Sequence, residues 1–334
     1  MGLAIGLAGV AFVTRLVIRD WDEISEAVGA ARPGLLVASV LVGLCGMTII
    51  GLNWVYLVDR TGSPVRRTRG MSWYFVGQLG KYVPGGIWPV VGRAELAVRA
   101  GVGRRAAYTT TAASMFSTYF TAGVVGAALL PWALGAPAPV AIGLPVLLAI
   151  GVGAAFHPQA TGRLLELGSR LTRRQLLLSV PTWRSTLITL ARHVPAWAAI
   201  TLATWVVARA LGFDIDPVLL MAATPTSWLA GFVIIGLPGG LGVRESVFVA
   251  IVATQAAESE ALAVALLARM VFVAVDIVGA LLAVATTSVA GWLRSRGGTG
   301  EAGDTAETVG AGGPERAPSG TPTGDLAGSR GAGR

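Results

Sequence analysis

Apolar residues run along this chain in membrane-length blocks with few interruptions, at roughly 1–18, 33–58, 106–134, 138–157, 185–211 and 261–292. A crossing helix needs about 20 apolar residues, so the first block is marginal and the others suffice. Two more apolar stretches, 71–92 and 217–256, differ in kind. Each contains a Pro-Gly-Gly triplet, Pro84-Gly85-Gly86 in the first and Pro238-Gly239-Gly240 in the second. Proline removes a helix donor and glycine frees the backbone, so each triplet predicts a broken helix. Broken backbone at membrane depth survives only where protein or a water-filled cavity satisfies it. Both stretches therefore read as re-entrant hairpins. The pattern predicts an all-α polytopic membrane protein with about six transmembrane helices plus two re-entrant broken-helix hairpins.

Loop charges give the blocks a direction. Loop 59–70 carries Arg60, Arg66, Arg67 and Arg69 against Asp59, and segment 93–105 carries Arg93, Arg99, Arg104 and Arg105 against Glu95. If 71–92 crossed fully, these basic segments would lie on opposite sides, contrary to the positive-inside rule; a hairpin leaves both in the cytoplasm. Acidic loops 19–32, 212–217 and 257–260 then fall outside, and basic 158–184 falls inside. A multi-pass plasma-membrane protein with both termini cytoplasmic is expected. Two crossings, a hairpin and one crossing make up 1–134, and the same series recurs over 138–292 from the opposite face. That is the order of an inverted repeat, which brings two broken helices toward the midplane from opposite sides. The expected domains are a membrane domain over 1–296 and, from its Gly, Ala, Pro, Ser and Thr content, a disordered cytoplasmic tail over 297–334.

Composition narrows the chemistry. With 54% hydrophobic and 13% charged residues, the chain is too apolar for a soluble core. Its net charge of +8 comes from short loops between apolar runs, so topology and anionic headgroups explain it and nucleic acid does not. A lone Cys45 with only His157 and His193 excludes a thiolate cluster and leaves little for zinc, so no metal is expected. Gly80-Lys81 lacks the glycine spacing and Ser/Thr of a P-loop, and no cofactor is expected. Residues Met1 to Val13 lack the basic start of a signal peptide.

The candidate site residues surround the two breaks. Lys81, the only lysine, sits beside Tyr82 in the first broken helix, where an ammonium can grip a lipid phosphate as a point charge or snorkel to the interface. Arg93 and Glu95 follow the first break, and Arg244 and Glu245 the second. They either contact headgroup phosphate or tie helix halves together. Arg269 and Asp276 lie in the last block, seven residues and about 10 Å apart on one face, too far for a mutual bond. A carboxylate at the bilayer centre is expensive, so Asp276 is expected to pair with Arg244, Lys81 or a proton. Tryptophans near run ends, among them Trp54, Trp73, Trp132 and Trp228, read as interfacial belt residues. Arg192 and His193, just before Pro195, read as an interfacial helix start.

The run Gly-Gln-Leu-Gly-Lys-Tyr-Val-Pro-Gly-Gly-Ile-Trp at 77–88, Gly92-Arg93 after it, and Leu-Pro-Gly-Gly-Leu-Gly-Val-Arg-Glu at 237–245 resemble the lysylphosphatidylglycerol synthase transmembrane-region family. The likeness covers roughly residues 1–292. It implies a polytopic membrane protein related to ones that move aminoacylated phosphatidylglycerol between leaflets. Those relatives carry a soluble aminoacyl-transfer domain, whereas this chain ends in a tail, so the resemblance implies a flippase-like module rather than a synthase. The expected partners are membrane lipids with anionic or zwitterionic headgroups and a separate lipid-modifying enzyme. Two alternatives stay open: a membrane-embedded enzyme or subunit acting on lipid-linked sugars, with Asp276 or Glu245 as acid/base, and a scaffold that recruits a soluble synthase.

Overall fold

The computed structural model describes residues 31–63, 65–83, 87–155, 183–233 and 242–297, together with Gly29 and Gly240. All regular elements there are helical: α1 (Pro33–Asp59), α2 (Arg67–Gln78), a 3-10 turn (Leu79–Tyr82), α3 (Trp88–Arg99), α4 (Arg104–Ala133), α5 (Ala138–Ala155), α6 (Trp183–Ala191), α7 (Val194–Ala210), α8 (Pro217–Val233), α9 (Val243–Val252) and α10 (Glu258–Gly297). The apolar block 1–18, most of loop 19–32, nearly all of 158–184 and the tail beyond Gly297 lie outside the described residues, as do Pro84, Gly85, Gly86, Pro238 and Gly239. The packing below belongs to one unit, Met1–Val289; a second, Ala290–Arg334, is described only along the end of α10.

Among the described residues three helices are long and apolar enough to cross a membrane: Pro33–Asp59, Arg104–Ala133 and Glu258–Thr286. Block 185–211 is not one helix. The chain turns at Arg192 and His193, so that α6 and α7 are separate, and Pro195 sits in the first turn of α7. His193 stands at the N-cap of α7, as its reading as a helix start expects, and is fully buried, with Nδ1 2.8 Å from Thr189 O. Prolines inside helices do not break them: Pro131, Pro145 and Pro225 lie within α4, α5 and α8. Each removes one hydrogen bond, which neighbouring helices and local adjustment tolerate in a membrane bundle. By contrast, helices end on either side of each Pro-Gly-Gly, at Tyr82 and Trp88 and at Val233 and Val243.

Small residues set the closest packing, as expected where lipid offers apolar surface everywhere and helices associate through backbone approach. A Cβ on Gly46 of α1 would stand 3.2 Å from Ala196 O of α7, and Ser39 Oγ donates to Ala203 O at 2.9 Å across the same pair. A Cβ on Gly126 of α4 would collide with Thr226 of α8. The tryptophan reading needs correction on two counts. Trp54 is fully buried and donates Nε1–H to Thr111 Oγ1 at 3.1 Å. Trp228 packs edge-on against Trp197 and Phe272, with centroids 5.7 and 5.1 Å away. Trp132, by contrast, is 54% exposed.

Candidate functional site

Helix α10 carries the acidic centre of the site. Asp276 is fully buried, and its Oδ2 lies 2.5 Å from Lys81 Nζ and accepts the Tyr82 hydroxyl proton at 2.5 Å. Both partners come from the 3-10 turn that ends the first arm of hairpin α2–α3. One helical turn beyond Asp276, a Cβ on Gly279 would run into the Phe75 ring of α2, so the glycine lets α10 lie against that arm. Seven residues before Asp276, Arg269 pairs with Glu245 of α9. Glu245 also caps its own helix, accepting the Gly242 backbone N–H at 2.8 Å. The expectation that Arg269 and Asp276 need separate partners holds, and of the partners foreseen for Asp276 it is Lys81 that binds.

The arms of each hairpin meet through glycine. A Cβ on Gly77 of α2 would stand 3.1 Å from Arg93 Cβ of α3, and one on Gly80 only 2.8 Å from the Trp88 carbonyl carbon. In the second hairpin a Cβ on Gly231 of α8 would stand 3.3 Å from Arg244 Cβ of α9 and 3.3 Å from Gly240 Cα. Gly240, at φ +69°, and Gly242, at φ +81°, adopt backbone that glycine alone enters freely. The sequence registers agree: Gly77 lies seven residues before Pro84 and Gly231 seven before Pro238, with Tyr74 and Trp228 each three residues earlier. In both hairpins the arginine of the second arm lies over that aromatic ring. Arg93 Cζ is 4.3 Å from the Tyr74 centroid, and Arg244 Cζ is 4.0 Å from the Trp228 centroid.

The residues around the breaks separate into two groups. Lys81, Tyr82, Arg244, Glu245, Arg269 and Asp276 converge: Lys81 Nζ is itself 5.8 Å from the Trp228 centroid, so two cations flank one indole. Arg93 and Glu95 stand apart. Both lie within helix α3 rather than in a loop, which removes them from the basic segment 93–105. Arg93 is 3% exposed, enclosed by Tyr74 and Trp54, and donates to Gln78 Oε1 at 3.1 Å. Glu95 pairs with Arg104 and accepts the Tyr108 hydroxyl at 2.7 Å, tying α3 to α4. Of their two readings, the geometry fits structural ties.

Charge is unbalanced at the convergence. Three cations, Lys81, Arg244 and Arg269, face two carboxylates, Asp276 and Glu245, and both carboxylates are engaged elsewhere. Among the described residues Arg244 lies over the Trp228 and Phe272 rings, and the neighbouring Glu245 is a carboxylate that acts on its charge. No group of His, Cys, Asp and Glu among the described residues is arranged to hold a metal ion. What such a cluster can do is offer a positive, partly desolvated place to an anion inside an otherwise apolar bundle. The role of Trp228 as the platform under both cations was not visible from its position near a run end.

The family model for the lysylphosphatidylglycerol synthase TM region matches residues 1–280. No curated protein matches the chain.

Proposed function

Because the chain belongs to the lysylphosphatidylglycerol synthase transmembrane-region family, we propose that it is a flippase-like protein moving a phospholipid or lipid-linked headgroup between leaflets. One observation carries the reading: two broken helices meet charged residues of a single spanning helix, with one positive charge left over. A headgroup crossing bare hydrocarbon must shed its water, whereas broken helices supply backbone groups and Lys81 or Arg244 supplies a counter-charge.

In this reading α2–α3 and α8–α9 are re-entrant. Helices α2 and α3 have 12 residues each, about 18 Å of rise, well short of a hydrocarbon core of about 30 Å. The shared glycine, aromatic and arginine plan of the two hairpins supports an inverted repeat of 1–134 and 138–292. Exposed Arg60, Arg66, Arg67, Arg69, Arg99, Arg104 and Arg105 would face the cytoplasm of a plasma-membrane protein, as would both termini. In the alternative of an embedded enzyme, Glu245 is held through both oxygens by Arg269 and Gly242 N–H, whereas Asp276 is held by Lys81 and Tyr82 through Oδ2 alone and keeps Oδ1 without a partner among the described residues.

The test is transfer of a fluorescent phospholipid between leaflets of proteoliposomes without nucleotide. Lys81→Ala should slow it, and Lys81→Arg should restore part of the rate by keeping the charge with altered hydration. Equal transfer by wild type, Lys81→Ala and protein-free liposomes would refute the reading. Topology is checked with Ser63→Cys and Gly103→Cys in a Cys45→Ala background; both positions are expected to share one side. Gly103 is chosen because a side chain there meets nothing within 4 Å, whereas Gly101 sits at φ +97°.

A further inference from the structure

Helix α8 satisfies its hydroxyls unevenly. Thr226 Oγ1 donates to Ala222 O at 2.7 Å and Ser227 Oγ to Thr224 O at 2.8 Å, the usual local solution in an apolar helix. Thr224 does not follow it. Its Oγ1 and Trp228 Nε1 are buried without a hydrogen-bond partner among the described residues, and Thr224 is 2% exposed. Four residues apart, the two lie on one face of α8 and line a narrow cleft with room for about one water. Thr204 of α7, Ser227 of α8 and the Arg244–Glu245 pair of α9 line the same cleft.

We infer that this cleft is a binding site for one ordered water, held by Trp228 and Thr224 and shared between α7 and α8. An indole N–H can only donate, so its partner must be an acceptor, and the space admits nothing larger than a water. The water oxygen accepts from Trp228 Nε1–H and from the Thr224 hydroxyl, and its own two protons then need acceptors. Two are at hand. Thr204 Oγ1 donates to Ile200 O at 3.1 Å and Ser227 Oγ to Thr224 O, so both hydroxyl oxygens keep a lone pair with which to accept. Buried waters make about three such bonds, within a range of two to four, and this donor and acceptor set meets that need. A dry cleft would leave a buried N–H and a buried hydroxyl unsatisfied, which is the costly outcome for polar groups out of reach of solvent. The water therefore braces the second hairpin against α7 beside the Arg244–Glu245 start of α9.

Two measurements on the purified full-length chain test this, and neither involves leaflet transfer, so their outcome is independent of the transport reading. An experimental structure at a resolution that shows ordered waters should place one about 2.7–3.2 Å from both Trp228 Nε1 and Thr224 Oγ1. An empty cleft there, or a protein acceptor directly on Trp228 Nε1, overturns the proposal. Thr224→Val keeps the shape of the side chain and removes its hydroxyl. With the water in place, the change takes away one of its partners and should lower the unfolding midpoint in detergent by about 2–4 °C. Without it, the change only removes an unpartnered buried hydroxyl, so a midpoint that stays or rises also overturns the proposal. Trp228→Phe removes the other donor. If one water serves both residues, the double change should cost less than the sum of the two single changes; strictly additive losses would mean that Trp228 and Thr224 share no water and would overturn the site.

Discussion

The two hairpins share a plan and differ in what their arginines are given. Arg93 has two aromatic faces, Tyr74 and Trp54, and an amide acceptor on Gln78, which in turn donates to the Tyr74 hydroxyl at 3.1 Å. Arg244 lies over Trp228 beside an open cleft, with both oxygens of the adjacent Glu245 already taken. The first hairpin instead reaches outward with Lys81 and Tyr82, which close on Asp276. The same backbone device therefore gives its arginine an aromatic surround and an amide acceptor in one copy, with a buried Nε left over, and an indole face with Glu245 beside it in the other.

Asp276→Ala should be the most damaging single change to this arrangement. It strands the Lys81 ammonium and the Tyr82 hydroxyl, at a cost of about 3 kcal/mol read as a lowered unfolding midpoint in detergent. Lys81→Met with Asp276→Leu should recover much of that loss; no recovery would mean that the pair does not hold the hairpin to α10. Arg93→Met comes next, at about 2 kcal/mol for a desolvated arginine between two rings, while Arg244→Met should leave stability unchanged or raised. Equal losses at the two arginines would erase the contrast between the hairpins. Gly77→Ala and Gly231→Ala should each cost about 1–2 kcal/mol, because the new methyl presses on the Arg93 Cβ and backbone in the first and on the Arg244 Cβ and Gly240 Cα in the second. At the small end, Glu95→Gln should change stability by less than about 1 kcal/mol, as its partner Arg104 is exposed.

The sequence made the breaks legible because Pro-Gly-Gly acts through the backbone of its own residues, and it made α1, α4 and α10 legible because length and apolarity are local properties. It also showed that Arg269 and Asp276 cannot pair, since helix geometry alone fixes their separation. What it could not show is which cation reaches Asp276: Lys81 and Arg244 are equivalent in charge, and only the packing of Phe75 on Gly279 brings the first hairpin's turn to that carboxylate. The helix start at His193 was legible from Pro195, because proline favours the first helical turn. Trp54 and Trp228 misled, as nearness to a run end marks an interfacial tryptophan only when the run is a simple crossing.

Helix α10 meets both hairpins from one stretch, through Arg269 to the second and Asp276 to the first. Seven residues turn an α-helix by about 700°, within about 20° of two full revolutions, which is why one face serves both partners. The tolerance of this segment to genetic change is accordingly lopsided. Between the two anchors many apolar exchanges conserve the geometry, but a single inserted or deleted codon would swing one anchor by about 100° away from its hairpin. Length between these positions, more than residue identity, is what descendants of this gene are obliged to preserve.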